Sequence, residues 1–254
     1  MRILILGGTG EASALARALA GRNDLSVMLS LAGRTAAPKA EPVPTRSGGF
    51  GGAEGLAQYL QSEGIDRLID ATHPFAARIS ANAARAAALA GVPLLAIRRP
   101  AWSPEPGDVW TEVASVPAAA AALGAEPRRV FLTVGRQEAG VFAAAPQHAY
   151  WARTVEPLGD VLPVPRLTAI EARGPFDADA EAALMRDAGI EIVVSKNSGG
   201  AATYGKIAAA RVLAIPVIMV RRPDKPDVPC VPDAAGALRW LDAAAHAAST
   251  LRDV

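Results

Sequence analysis

Val92-Pro93-Leu94-Leu95-Ala96-Ile97-Arg98-Arg99-Pro100 is answered in the second half of the chain by Ile215-Pro216-Val217-Ile218-Met219-Val220-Arg221-Arg222-Pro223. Each phrase follows an Ala-rich helical stretch, and each stretch follows a short apolar strand that opens into a polar loop. The first loop is Asp70-Ala71-Thr72-His73-Pro74-Phe75 and the second is Ser195-Lys196-Asn197-Ser198-Gly199-Gly200. A repeated strand–loop–helix–strand unit predicts two similar α/β domains, each with a loop where its strand ends. Open parallel sheets bind ligands outside the carboxyl ends of their strands. A functional site is therefore expected in a cleft between two such edges.

Working outward, 254 residues suffice for two domains of ordinary size. The chain is 51% hydrophobic and 20% charged, which supplies two cores, and only 5% aromatic, so helices are expected to pack on small side chains. A net charge of +1 gives no reason to expect nucleic acid as a partner. A single cysteine, Cys230, excludes an internal disulfide framework and a multi-cysteine zinc site. The histidines (His73, His148, His246) are scattered, so no metal is expected. The chain opens at once into a strand, with no signal-peptide pattern, and no apolar run approaches the roughly 20 residues that span a bilayer. A cytoplasmic protein without a membrane partner is expected, as a monomer or small homo-oligomer.

Strands are predicted at Arg2–Leu6, Leu25–Leu29, Arg67–Ile69, Leu94–Arg98, Val130–Thr133, Tyr150–Arg153, Ile190–Val194 and Val217–Val220, alternating with helices. The helices fall at Glu11–Ala20, Ala53–Glu63, Ala76–Leu89, Pro117–Leu123, Ala178–Ala188, Lys206–Leu213 and Ala234–Ala247. Ser103–Gly107, with two prolines and a glycine, is the best linker candidate. The expected architecture is two Rossmann-like domains with parallel sheets, 1–106 binding the cofactor and 107–254 the substrate.

The first strand runs into Gly7-Gly8-Thr9-Gly10-Glu11-Ala12-Ser13 and then a helix. Glycines let backbone approach phosphates, and the helix start offers unpaired N–H groups and a positive dipole end. Ser13 stands where the third glycine of G-x-G-x-x-G would fall, and such turns also occur in domains that bind no nucleotide. NAD-binding domains place an acid about 20 residues beyond the glycines. Here the second strand ends Leu29-Ser30-Leu31-Ala32-Gly33-Arg34 without a carboxylate. A hydroxyl and a guanidinium suit a 2′-phosphate, so NADPH is expected, with Ser30 and Arg34 reading it; otherwise Arg34 is a solvated side chain.

These motifs occur in order with Gly48-Gly49-Phe50-Gly51-Gly52, Asp70-Ala71-Thr72-His73-Pro74-Phe75-Ala76, Arg99-Pro100-Ala101-Trp102, Thr133-Val134-Gly135-Arg136, Ser195–Gly200 and Arg221-Arg222-Pro223. The series, from residue 3 to about 223, resembles the precorrin-6A reductase family of cobalamin biosynthesis. The resemblance implies an oxidoreductase that uses a reduced nicotinamide to reduce one double bond of the precorrin-6A macrocycle, giving precorrin-6B. An anaerobic branch acts on the cobalt-bearing macrocycle; Ser30 and Arg34 favour NADPH and the cobalt-free branch.

Such a substrate is a flat apolar ring fringed with carboxylates. Phe50 and Gly51 either wall the ring or form a turn with a core phenylalanine. Thr72, at a strand's carboxyl end, is a cofactor ligand or, like Asp70, a helix cap. His73, with an unperturbed pKa of about 6.5, is the candidate proton donor. Lys196 is the candidate for pairing with a substrate carboxylate or developing charge. Asn197, Ser198, Thr203, Lys206 and Arg136 complete the expected substrate set, with a solvated Lys206 as the alternative. One arginine of each Arg-Arg pair is expected to face ligand and the other to pack. A short-chain reductase is disfavoured because no Tyr-x-x-x-Lys spacing occurs, and a nucleotide sensor leaves the second set of polar loops unexplained.

Overall fold

The computed structural model describes residues 1–33 and 40–250, so Arg34 lies outside the described residues. Strand β1 (Arg2–Leu6) has Ile3, Leu4, Ile5 and Leu6 all buried, because helices cover both faces of its sheet. Period-two alternation divides them. Ile3 and Ile5 join Leu15, Ala16 and Leu19 of α1 (Gly10–Leu19), whereas Leu4 packs with Leu56 and Leu60 of α2 (Ala53–Ser62) and Ala83 and Ala86 of α3 (Ala77–Ala90). Beside β1 run β2 (Ser26–Leu31) and β3 (Thr45–Ser47) on one side, and β4 (Arg67–Asp70) and β5 (Leu94–Ile97) on the other, all parallel.

The second unit, Pro100–Arg222, repeats the winding. Its sheet contains β6 (Trp110–Val113), β7 (Arg129–Thr133), β8 (Ala149–Thr154), β9 (Leu167–Glu171), β10 (Ile192–Lys196) and β11 (Val217–Val220). Between them lie α4 (Val116–Ala122), the single turn α5 (Arg136–Ala139), α6 (Ala178–Asp187) and α7 (Gly205–Val212). Phe131, Met185, Val193, Ile207 and Met219 are wholly buried where α6 and α7 cover this sheet. The chain then returns to the first unit as β12 (Cys230–Val231), parallel to β5, and α8 (Ala234–Thr250), whose Ala237 and Leu241 enter the core with Ile3 and Ile5.

Each sheet is six-stranded among the described residues, in the orders β3-β2-β1-β4-β5-β12 and β9-β8-β7-β10-β11-β6. Five strands of each follow the same doubly wound order. The order reverses between β1 and β4 in one sheet and between β7 and β10 in the other, where ligand crevices open at the carboxyl ends of the strands.

The two-domain α/β architecture expected from the repeat is present. The boundaries differ. Residues 1–99 group with 223–254, and 100–222 form the other unit, so the chain changes unit at the two Arg-Arg-Pro phrases. Ser103–Gly107 is not the linker but lies within the second unit. The physical reason is the sixth strand: β12 completes the first sheet from the far end of the sequence. Strands β3, β6 and β9 escaped the sequence reading because edge strands carry polar residues and no continuous apolar run, and β12 because two residues form no pattern. Gly135–Glu138, outside every strand and helix predicted from the sequence, largely forms α5.

Candidate active site

In the first unit the backbone N–H of Gly7 donates to the Ser30 carbonyl (2.8 Å), prolonging the β1–β2 ladder into the glycine turn. Gly8 takes φ +107°, open to glycine and strained for other residues, and nothing lies within 4 Å of a side-chain carbon built there or at Gly10. Thr9 caps α1 by accepting from Ala12 N–H (3.2 Å), while its hydroxyl donates to the Ala71 carbonyl (2.7 Å). One threonine thus ties the loop after β1 to the loop after β4 at the reversal of strand order. Bare backbone at a helix start, open on its outer side, fits a dinucleotide pyrophosphate. Glu11 does not serve that role directly: its carboxylate pairs with Arg99 (2.8 Å), both side chains largely covered. Ser13, at the third-glycine position, donates to the Glu41 carboxylate. A narrow crevice among Thr9, Glu11, Thr72, Pro74, Ile97 and Arg99 marks the place.

Ser30 is buried near the end of β2, and its hydroxyl accepts from Arg46 (2.9 Å). Arg46 also donates to the carbonyls of Gly48 (3.1 Å) and Gly49 (3.3 Å) and lies over the Phe50 ring, 3.9 Å from its centroid. Phe50 meets Tyr59 edge-on at 5.0 Å and packs against the α2–α3 core. Its ring is thus engaged inside its own unit, which favours the turn-and-core reading over a ring-stacking wall. Gly51 is exposed, with φ +80°.

The loop after β4 is organised by Asp70. Its buried carboxylate accepts from Thr72 N–H (3.1 Å), Thr72 Oγ1 (2.6 Å) and Ser80 Oγ (2.6 Å). Neither Asp70 nor Thr72 caps α3, whose first turn has no side-chain cap; instead Asp70 fastens the loop to Ser80 within the helix. Thr72 is 6% exposed, with its hydroxyl directed at Asp70, so any contact of Thr72 with a cofactor runs through what remains of that loop's backbone. His73 Nδ1 accepts from Phe75 N–H (3.2 Å), which assigns the proton of the neutral ring to Nε2. The His73 carbonyl receives Lys225 Nζ (3.1 Å) from the returning segment.

In the second unit Lys196, last residue of β10, forms an ion pair with Glu138 of α5. This contact joins β10 to the turn after β7, the place that Thr9 and Ala71 bridge in the first unit. Asn197 is the clearest departure from expectation. Its Oδ1 accepts from Trp102 N–H (2.8 Å) and its Nδ2 donates to the Trp102 carbonyl (2.9 Å), so the amide splints the chain instead of facing ligand. Arg222 donates to the carbonyls of Asn197 (2.8 Å), Ser198 (3.0 Å) and Pro100 (3.0 Å). Gly199, φ +67°, is required there, since a side-chain carbon would collide with the Pro100 carbonyl. Ser198 is buried, with its hydroxyl 3.4 Å from that of Thr203. Arg99 and Arg222 are therefore both fasteners of site loops, and Arg221 is the exposed member of its pair.

Lys206 is neither solvated nor open to ligand. It is 4% exposed, donates to the Thr203 carbonyl (2.8 Å) and lies over the Trp102 ring. Burial, reinforced by the Arg153 charge and opposed by Glu181, pushes its pKa down to about 7. Arg153 and Glu181 form a buried two-pronged ion pair beside it. Arg136 is exposed at the start of α5, without a hydrogen bond or ion pair among the described residues, and suits an incoming carboxylate. Among the described residues no group of three or more His, Cys, Asp or Glu gathers to hold a metal.

The sequence profile of the family described as "Precorrin-6x reductase CbiJ/CobK" matches residues 2–242. The chain belongs to this family. A precorrin-6A reductase of Sinorhizobium sp is 57% identical over 94% of both chains, and one of Rhodobacter capsulatus is 49% identical over 94% of this chain and 95% of its own. A cobalt-precorrin-6A reductase of Priestia megaterium is 28% identical over 87% of this chain and 90% of its own. A solved structure titled "CobK precorrin-6A reductase" is 48% identical and superposes with a TM-score of 0.91, covering 95% of this chain and 96% of that one. The protein is thus an oxidoreductase of cobalamin biosynthesis, a family chemistry that draws on a nicotinamide cofactor. Among the described residues no helix is long and apolar enough to cross a membrane.

Within this reductase fold the sequence-derived residues fall into two groups. Gly7, Gly8, Thr9, Gly10, Ser30, His73, Lys196 and Arg136 stand at the carboxyl ends of strands or on the turns that follow them. Glu11, Phe50, Thr72, Asn197, Ser198, Thr203 and Lys206 have side chains largely engaged within the protein. The reading missed Arg46, Ser80 and Glu138. Glu138 alone carried a signal, as the acid in the turn after a strand.

Proposed function

We propose that the protein reduces one double bond of precorrin-6A with NADPH to give precorrin-6B, acting on the cobalt-free macrocycle. The observation that carries the choice of branch is the contrast between 57% identity to a precorrin-6A reductase and 28% to a cobalt-precorrin-6A reductase. The bound cofactor supplies hydride from its reduced nicotinamide. The chain's own residues bind and orient. Backbone of Gly7 to Gly10 and the start of α1 receive the pyrophosphate, and Ser30 lies toward the adenosine end. Lys196 and Arg136 supply cations for the carboxylate fringe of the tetrapyrrole, with Glu138 holding the Lys196 ammonium in place until substrate arrives. His73 is the donor of the accompanying proton: as the imidazolium, with Nδ1 protonated and its contact from Phe75 N–H given up, it donates from Nε2 and returns to the neutral ring. Asn197, Ser198, Thr203 and Arg222 keep the loop after β10 in shape. We assign the protein to the cytoplasm, as a monomer or small homo-oligomer.

Steady-state assays with precorrin-6A and its cobalt-bearing counterpart test the branch. The proposal expects kcat/KM to favour the cobalt-free macrocycle; a preference for the cobalt-bearing one overturns it.

A further inference from the structure

We infer that Arg46, acting beside Ser30, is the residue that selects a 2′-phosphorylated nucleotide; this rests on the NADPH reading above. Leu6, Ser30 and Arg46 occupy one row across β1, β2 and β3, and Gly7, next along the chain, carries the β1–β2 ladder into the glycine turn. The guanidinium therefore originates two strand spacings, about 10 Å, from the turn that takes the pyrophosphate. It reaches back over β2 to Ser30 Oγ (2.9 Å). This is the adenosine side of a doubly wound sheet, where NAD-binding domains hold an acid.

Arg46 is also prepared for an anion. Three of its N–H groups are committed, to Ser30 Oγ and the Gly48 and Gly49 carbonyls, and Phe50 supports its plane. One donor on Nε and one on Nη2 remain, and donors on those two atoms can meet phosphate oxygens as a fork. No carboxylate among the described residues pairs with it, so its charge is uncompensated while its geometry is fixed. Because Ser30 accepts from Arg46, its own O–H is left to donate to the same phosphate. The sequence reading gave this role to Arg34; Arg46 is sixteen residues beyond Ser30 in sequence and adjacent to it only through strand pairing.

The test is equilibrium titration of the full chain with adenosine 2′,5′-bisphosphate and with adenosine 5′-monophosphate, for the unaltered protein and for Arg46→Ala, Arg46→Lys and Arg34→Ala. The unaltered protein is expected to prefer the bisphosphate. Arg46→Ala should weaken bisphosphate binding by roughly 10- to 100-fold and leave monophosphate binding unchanged, with Arg46→Lys intermediate. Equal loss of both ligands in Arg46→Ala and Arg46→Lys would show a purely structural arginine and overturn the inference. So would a full preference retained in Arg46→Ala, whether or not Arg34→Ala loses it. An unaltered protein that binds both ligands equally would instead remove the NADPH reading on which the inference stands.

Discussion

Lys206 carries its amine into the core on one hydrogen bond, and the consequence is a pH-dependent cost. Its folded pKa of about 7 lies below the value of 10.5 for an exposed lysine. Between those values the unfolded chain holds the proton and the folded chain does not, so this group makes stability rise with pH across that window. Below about pH 7 both states are protonated and the full cost of burying the charge persists. Lys206→Met should therefore gain stability relative to the unaltered protein at pH 6, and the gain should shrink by about 2 kcal/mol by pH 9. Urea unfolding at both pH values checks this; a gain independent of pH would contradict it. Lys196 behaves differently, being partly exposed and paired with Glu138. Lys196→Ala is expected to lower kcat/KM for the tetrapyrrole by roughly 10- to 100-fold while NADPH affinity holds. Unchanged turnover would remove Lys196 from the reaction. The place of Lys196 at the end of a buried strand was legible, because it follows an apolar run in a chain poor in lysine. The roles of Asn197 and Lys206 were not, because both depend on Trp102, a partner distant in sequence that no local spacing announces.

At the scale of elements, single side chains hold the loops that the strands deliver. Thr9 caps α1 and bonds to Ala71 through one hydroxyl; Thr9→Ala should cost about 1–2 kcal/mol and weaken nucleotide binding, whereas Thr9→Ser should retain both. Thermal unfolding with a nucleotide titration distinguishes them. Arg153 of β8 and Glu181 of α6 are both buried, with Arg153 stacked 3.6 Å from the Phe176 ring centroid. Removing Glu181 leaves Arg153 uncompensated beside Lys206, so Glu181→Ala should destabilise by about 3–5 kcal/mol, measured by urea unfolding. A cost under about 1 kcal/mol would mean the pair is replaceable. Central strands were readable from apolar runs and helices from period and caps. Edge strands such as Thr45–Ser47 were not, because their residues are chosen by one neighbour and by solvent.

At the scale of the whole molecule, the repeated Arg-Arg-Pro phrases mark where the chain leaves one unit and, later, the other. The repeat announced two sheets but not that residues 223–254 complete the first. A chain ended after Arg222 would uncover the β5 edge and the core beneath Ala237 and Leu241. It is expected to lose nucleotide binding and the cooperative unfolding of the first unit; unchanged nucleotide affinity would contradict this division. The reaction itself can be followed directly. The most direct measurement follows NADPH through its near-ultraviolet absorbance in the presence of precorrin-6A, with the macrocycle's mass read in parallel. The expected result is one NADPH oxidised for each macrocycle that gains two hydrogens, slower with NADH. NADPH bound but not oxidised, with the macrocycle unchanged, would contradict it.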